Sequence, residues 1–215
     1  MLNDYCFSTY ARYTTLSRSD GAVLMGADNL VGDIYTIEPE LQEDRSYRLW
    51  LVNRFGAKVA ILDQSHEHRV QTLLARGWTL RALLSFVALS DGDEGTYWGE
   101  VILLGNDPHY DEAFKTFALN LRELLSEGVR PQVEFTEQAA RQIINSNGSW
   151  MPTDRISAPK LGKGSALVKS RRSASEKLVE AGRSGKGGCW AITIALWIAM
   201  GALVLAGAAK LLGLF

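Results

Sequence analysis

The sequence predicts an α+β protein: a small, bent β-sheet or partly open β-barrel with a capping helix, a packed helical extension and a single C-terminal transmembrane helix. Three observations predict it. Period-two hydrophobic alternation dominates residues 1–105, two amphipathic helical stretches follow, and the chain closes on an uncharged apolar run. Charge divides the chain in the same places. The formal net charge is −1, yet residues 1–155 carry −8, residues 156–188 carry +6, and Lys210 is the only charge beyond them.

The strands come first. "FSTYARYTTL" mixes β-branched and aromatic residues and ends at the turn signal Ser19-Asp20-Gly21. "GDIYTIE" places Tyr35 and Ile37 on one face and Ile34, Thr36 and Glu38 on the other. "YRLWLV" and "KVAIL" form a hairpin across Asn53-Arg54-Phe55-Gly56, where Gly supplies positive φ. The period then becomes helical in "DQSHEHRVQTLLARGW", with Asp63 or Ser65 as cap, His66, Val70, Leu73 and Leu74 along one face, and Gly77 as terminator. "TLRALLSFVAL" and "TYWGEVILLG" read as two further strands joined by the acidic loop Ser90–Gly95.

Residues 106–150 form the helical extension. Tyr110, Phe114, Phe117, Leu121, Leu124 and Leu125 build one apolar stripe, closed by Gly128. "RPQVEF" reads as a short edge strand, and Thr136 caps a second helix, "EQAARQIINS". A stretch this short is marginal as a domain of its own, so it is expected to pack on the barrel.

Residues 151–188 are rich in Pro, Gly, Ser and Lys and read as a flexible basic linker, interrupted by a short helix "SASEKLVEA" whose Ser173 and Glu176 have capping-box spacing. Its cations, among them Lys169, Arg171, Arg172, Lys177, Arg183 and Lys186, suit an anionic membrane surface. From Cys189 to Ala209 there are 21 residues with neither charge nor proline, and roughly 20 suffice to cross a bilayer as a helix. Within this membrane anchor Trp190 sits at headgroup level, Trp197 lies deeper and faces lipid or a partner helix, and Lys210 snorkels at the far end. The basic neck precedes the span, so the positive-inside bias predicts a tail-anchored protein with its N-terminal body in the cytoplasm.

Motifs for chemistry fail on their spacing. Gly185-Lys186 is followed by Gly187 rather than Ser or Thr, so no phosphate loop forms. His66 and His68 are two apart on a helix and point away from each other, so no metal site is expected. The loop from Asp91 lacks the Gly and the bidentate Glu of a calcium loop, and no Gly-x-Ser-x-Gly elbow exists. Cys6 and Cys189 imply no disulfide framework. No cofactor is implied.

The run "FGAKVAILDQSHEHRVQTLLARGW" with a closing "TYWGEVILLG" resembles the HIRAN domain over about residues 5–105. The resemblance implies a compact six-stranded β-barrel with a helix, and binding of a free single-stranded DNA end, with Arg12-Tyr13 as the dipeptide that holds it. Where that family carries an aspartate and an asparagine, this chain reads "RSYRLWLV", so the implied fold is carried over more completely than the implied ligand. Together these readings predict a membrane-tethered, non-enzymatic binding or adaptor module for a protein or nucleic-acid end, with Arg12, Tyr13, Tyr47 and Arg48 as ligand-binding residues and the lipid bilayer as a partner. The acidic body disfavours nucleic acid. The alternative is a membrane-anchored enzyme working through carboxylates such as Asp91, Asp93 and Glu100.

Overall fold

The computed structural model describes residues 4–90 and 95–183, together with Trp197, Ile198 and Met200. The chain divides into two units, residues 1–172 and 173–215. The first is α+β, built on a seven-stranded antiparallel sheet. Its elements in chain order are β1 (Cys6–Thr14), α1 (Arg18–Gly21), β2 (Ile34–Leu41), β3 (Tyr47–Val52), β4 (Lys58–Leu62), α2 (Glu67–Ala75), β5 (Thr79–Ser90), β6 (Tyr97–Asn106), α3 (Asp111–Ser126), α4 (Glu137–Asn145) and β7 (Ser165–Lys169).

Neighbouring strands run β2-β3-β4-β1-β6-β5-β7, and a further pairing of β2 with β5 closes the first six into a ring. The closing seams are short. Only Tyr13 and Thr14 pair β1 with β4, and only Ile34 and Tyr35 pair β2 with β5. Alternation along each strand then sorts the side chains. Ala11, Tyr13, Tyr35, Leu49, Leu51, Val101 and Leu103 fill the ring. Cys6, Leu83, Ile102 and Leu104 face outward, where Phe114, Phe117, Leu121 and Leu125 of α3 and Ile143 of α4 cover them. Arg81 of β5 bonds Asp111 of α3 at 2.8 Å and Asn106 at 2.8 Å. Partial burial opposes ionisation of Asp111, but the hydrogen bonds from Arg81 and Asn106 prevail and hold its carboxyl below the ordinary value.

One crossing fixes the interior. The β5–β6 register shifts between Leu84 and Phe86, and Tyr13, fully buried, reaches across Gly99 of β6 to donate its hydroxyl to the Phe86 carbonyl of β5 at 3.0 Å. Burial pushes the Tyr13 hydroxyl far above its ordinary pKa, so it stays a donor. Gly99 lies beneath this crossing. A Cβ there would clash with the Phe86 carbonyl oxygen and sit 2.5 Å from the Tyr13 hydroxyl.

Residues 151–172, expected within a flexible linker, are folded onto the barrel. Gln132 and Ile156 donate their amides to Asp154 and Arg130 at 2.9 Å each, around a bridge between Pro131 and Arg155. "RPQVEF" is thus extended but pairs with this strap, and Val133 and Phe135 are buried beneath α3 and α4. β7 then pairs with residues Val87–Ser90 of β5. Lys169 and Arg172, expected at a membrane surface, are buried instead. The Lys169 ammonium donates to the Gly26 and Asn29 carbonyls at 3.2 Å each. Arg172 donates to the Val31 carbonyl at 2.7 Å and pairs with Asp33 at 3.3 Å. The cause is the gap between β2 and β7 along β5, where loop carbonyls need donors.

The second unit contains α5 (Ala174–Arg183), capped as its sequence predicts: the Ser173 amide donates to Glu176 at 2.8 Å, and the Glu176 amide to the Ser173 hydroxyl at 3.3 Å. Of the expected span 189–209, Trp197, Ile198 and Met200 are helical and exposed. Trp190, Lys186 and Lys210 lie outside the described residues. Among the described residues no helix is long and apolar enough to cross a membrane.

Two substitutions test this core. Gly99→Ala is expected to lower unfolding stability by about 3 kcal/mol in urea titration, because backbone has to move to admit the methyl. Arg172→Ala is expected to cost about 3 kcal/mol by removing the buried donor to the Val31 carbonyl and the ion pair with Asp33, whereas the exposed neighbour substitution Arg171→Ala should stay within roughly 0.5 kcal/mol. Equal effects of the two arginines would contradict the buried strap.

Candidate binding surface

The four sequence-predicted ligand residues do not converge. Adjacent residues of a strand point to opposite faces, so Tyr13 enters the core while Arg12 lies exposed outside, its guanidinium 4.4 Å from the Trp98 ring centroid. Tyr13 therefore cannot stack on a ligand. Tyr47 and Arg48 do come together, lining a groove of about 180 Å³ with Gln42, Asp44 and Ser46 of the β2–β3 turn, Leu62 at the end of β4 and Gln64 beyond it. Asp44 accepts from the Ser46 amide at 2.9 Å and hydroxyl at 2.6 Å, which fixes the turn. Glu67, in the first turn of α2, accepts the Tyr47 amide at 2.8 Å.

Beside this groove is a cluster that the sequence reading did not single out. Glu40 of β2 stands opposite Arg48 of β3, and Trp50 of β3 stands opposite Glu38 on one side and Ile61 of β4 on the other. The Trp50 indole N–H donates to one Glu40 oxygen at 2.8 Å, and Lys58 bonds the other at 2.9 Å. Lys58 and Arg48 also lie 5.2 and 5.8 Å from the indole centroid. At the next turn Arg54 sits 4.7 Å from the ring of Phe55, which is 61% exposed. The Asn53 side chain holds that turn by accepting the Phe55 and Ala57 amides at 3.0 Å each. The result is an aromatic and cationic surface in which one indole is clamped and one phenyl ring is free to meet a partner.

This cluster had a signal in the sequence. Arg48 and Trp50, two apart, must share the face opposite Leu49 and Leu51, and Glu38 and Glu40 alternate likewise on the preceding strand. What was missing was the register that sets Glu40 against Arg48.

The carboxylates named for an enzymatic reading are placed differently. Glu100 accepts from Arg130 at 2.5 Å, and Asp91 and Asp93 lie outside the described residues. Among the described residues no three His, Cys, Asp or Glu side chains gather as metal ligands. Of the remaining neck cations, Arg171 and Lys177 are exposed and Arg183 lies 3.6 Å from Glu180. No protein-family model matches the chain, and neither the curated proteins nor the solved structures contain a match to it.

The hydrogen bond from Trp50, then that from Lys58, lowers the Glu40 pKa from 4.5 to about 2. A carboxyl depressed in the folded state keeps its interaction above its unfolded pKa and loses it only as pH falls through the folded one. The Trp50 indole N–H resonance is therefore expected to hold steady as pH falls through 4.5 and to move only on approach to about 2. In Glu40→Gln it should not titrate. Movement centred near 4.5 would contradict the clamp.

Proposed function

We propose that this chain is a membrane-tethered, non-enzymatic binding module, HIRAN-like in plan, which holds an extended acidic segment of a protein partner on the outer face of β2, β3 and β4. The observation that carries this reading is the clamped Trp50 among Arg48, Lys58 and the neighbouring Arg54–Phe55 pair. Trp and Arg are the side chains on which interface energy concentrates. A clamped indole also gives up little conformational freedom on binding. The adjoining groove at Tyr47 and Arg48 extends the surface along the strand. The uncharged stretch 189–209 supports the tether, and the cations before it support a cytoplasmic body.

A nucleic-acid end is the second reading, favoured by the exposed Phe55 beside Arg54, an arrangement on which bases stack. The full-length chain in detergent micelles separates the two by fluorescence anisotropy. The probes are a Glu/Asp-rich peptide carrying one Phe, and a ten-nucleotide oligothymidine with a free 3′ end. The peptide is expected to bind, with affinity falling as salt rises and losing about 2 kcal/mol in Trp50→Ala. Submicromolar, end-dependent oligonucleotide binding at physiological salt would replace the protein reading with the nucleic-acid one. Binding of neither probe would remove both.

For the tether, the full-length protein is expected in the membrane pellet after ultracentrifugation without detergent, and residues 1–183 in the supernatant. Full-length protein left in the supernatant would remove the tether.

A further inference from the structure

The strap is uniformly basic. From residue 155 to residue 175 the chain carries six Lys or Arg and no Asp or Glu. Lys169 and Arg172 turn inward to loop carbonyls, which leaves Arg155, Lys160, Lys163 and Arg171 exposed. Among the described residues none of these four pairs with a carboxylate.

The same stretch exposes hydrocarbon. Leu161 is 37% and Leu167 49% exposed, and with Pro159 they rim an open cavity of about 200 Å³ between the strap and β5, which Phe86 and Gly128 also line. A Cβ on Gly128 would lie 3.3 Å from that of Arg171, so this cation borders the same rim. Lys160 adjoins Leu161 in the chain, and Lys163 lies in the turn closed by the Ser165 amide on the Gly162 carbonyl at 3.1 Å. The strap backbone is tied down by the Ile156 amide on the Arg130 carbonyl at 2.9 Å, by β7 on β5, and by the Arg172 amide on the Ser126 carbonyl at 2.9 Å. Its backbone is therefore ordered before any partner arrives.

Exposed leucines bordered by cations match an anionic bilayer surface, where the leucines enter the acyl boundary and the cations meet the headgroups. Chain length selects this partner over an acidic protein. Only sixteen residues, 173–188, join the strap to the uncharged run 189–209. α5 takes ten of them, about 15 Å of helix. The other six extend at most about 22 Å, so a membrane tether keeps the strap within roughly 40 Å of the bilayer. Such confinement gives the face a high effective concentration at the lipid.

We propose that the strap face, Leu161 and Leu167 with Lys160, Lys163 and Arg171, docks on the surface of an anionic bilayer. The proposal rests on the membrane tether and adds an orientation to it. In the six-stranded ring β4 stands three places from β5 in either direction. A bilayer against the strap therefore leaves β4, with Lys58 and the preceding turn at Phe55, pointing away from the lipid, where an acidic segment can reach it.

The test places the full-length chain in lipid nanodiscs of phosphatidylcholine, alone or mixed with phosphatidylserine, each doped with a lipid carrying gadolinium on its headgroup. Methyl NMR then reads the paramagnetic broadening. In mixed discs Leu161 and Leu167 are expected to broaden strongly while Ile61, opposite Trp50 on β4, stays sharp. In phosphatidylcholine discs the leucine broadening should fall severalfold. Each cation near an anionic surface is worth roughly a fivefold factor in affinity. The combined substitution Lys160→Gln, Lys163→Gln and Arg171→Gln should therefore weaken docking on the order of a hundredfold, sharpening both leucines while the amide spectrum stays native. Sharp leucines in an embedded chain would overturn the docked face. Equal broadening in the two discs, or unchanged broadening in the triple variant, would overturn the anionic partner. Stronger broadening of Ile61 than of the leucines would overturn the orientation. Leucines that stay sharp on discs yet shift with the Glu/Asp-rich peptide would assign the face to a protein instead. A chain that enters neither disc removes the tether itself, an outcome distinct from an embedded chain with sharp leucines.

Discussion

The outer edge of β5 is the constraint on which this fold depends. β6 covers one edge of β5 along most of its length, but the other edge has to be shared. β2 reaches only Ala82 and Leu83, aided by the Gly32 amide on the Leu84 carbonyl at 2.7 Å and the Leu84 amide on the Asp33 carbonyl at 3.0 Å. Beyond that point β2 leaves, and an uncovered strand edge would offer its amides and carbonyls to any other chain. β7 takes up the edge from Val87 onward. The junction between the two partners falls at Ser85 and Phe86, where the β5–β6 register also shifts. Lys169 and Arg172 fill this junction from the strap, capping the carbonyls of Gly26, Asn29 and Val31. Cavity, strap and buried cations are all consequences of one strand having two successive neighbours.

That constraint also changes the charge argument. Read at residue 155, the body is acidic at −8, and an anionic partner looks unfavourable. The folded unit runs to residue 172, and over that length 19 Lys and Arg face 22 Asp and Glu, so its net charge is only −3. Several carboxylates are moreover held in pairs, Glu100 by Arg130, Asp111 by Arg81 and Asp33 by Arg172. Cations on the β2–β4 face then act over short distances within one Debye length, where local placement outweighs the total. An acidic peptide meeting Arg48, Arg54 and Lys58 is therefore compatible with a chain whose overall charge is slightly negative.

Local signals were legible in the sequence and long-range ones were not. The apolar stripe of α3, its terminator Gly128 at φ +81°, the Asn53–Gly56 turn and the Ser173–Glu176 box all depend on residues within a few positions of one another. Barrel closure depends on two residues, Ile34 and Tyr35, meeting partners nearly fifty positions away, and so short a pairing leaves no periodic trace. β7 was hidden for a related reason. "SALVK" is five residues among Gly, Ser and Lys, and its partner strand supplies the stability that its own composition lacks. Strand alternation alone divides Arg12 from Tyr13, setting the first at the surface and the second in the core.

Glu100 is tied into the barrel wall by Arg130. Glu100 and Arg130 are both mostly buried, with 19% and 11% of their side chains exposed, and they hold each other at 2.5 Å. The guanidinium lies between the Tyr10 and Phe86 rings with Glu100 as its counter-charge, so removing that carboxylate leaves the costly half of a broken buried pair. Glu100 and Ser85 hold the guanidinium in one orientation. One side chain so held joins β1, β5 and β6 to the segment that follows α3.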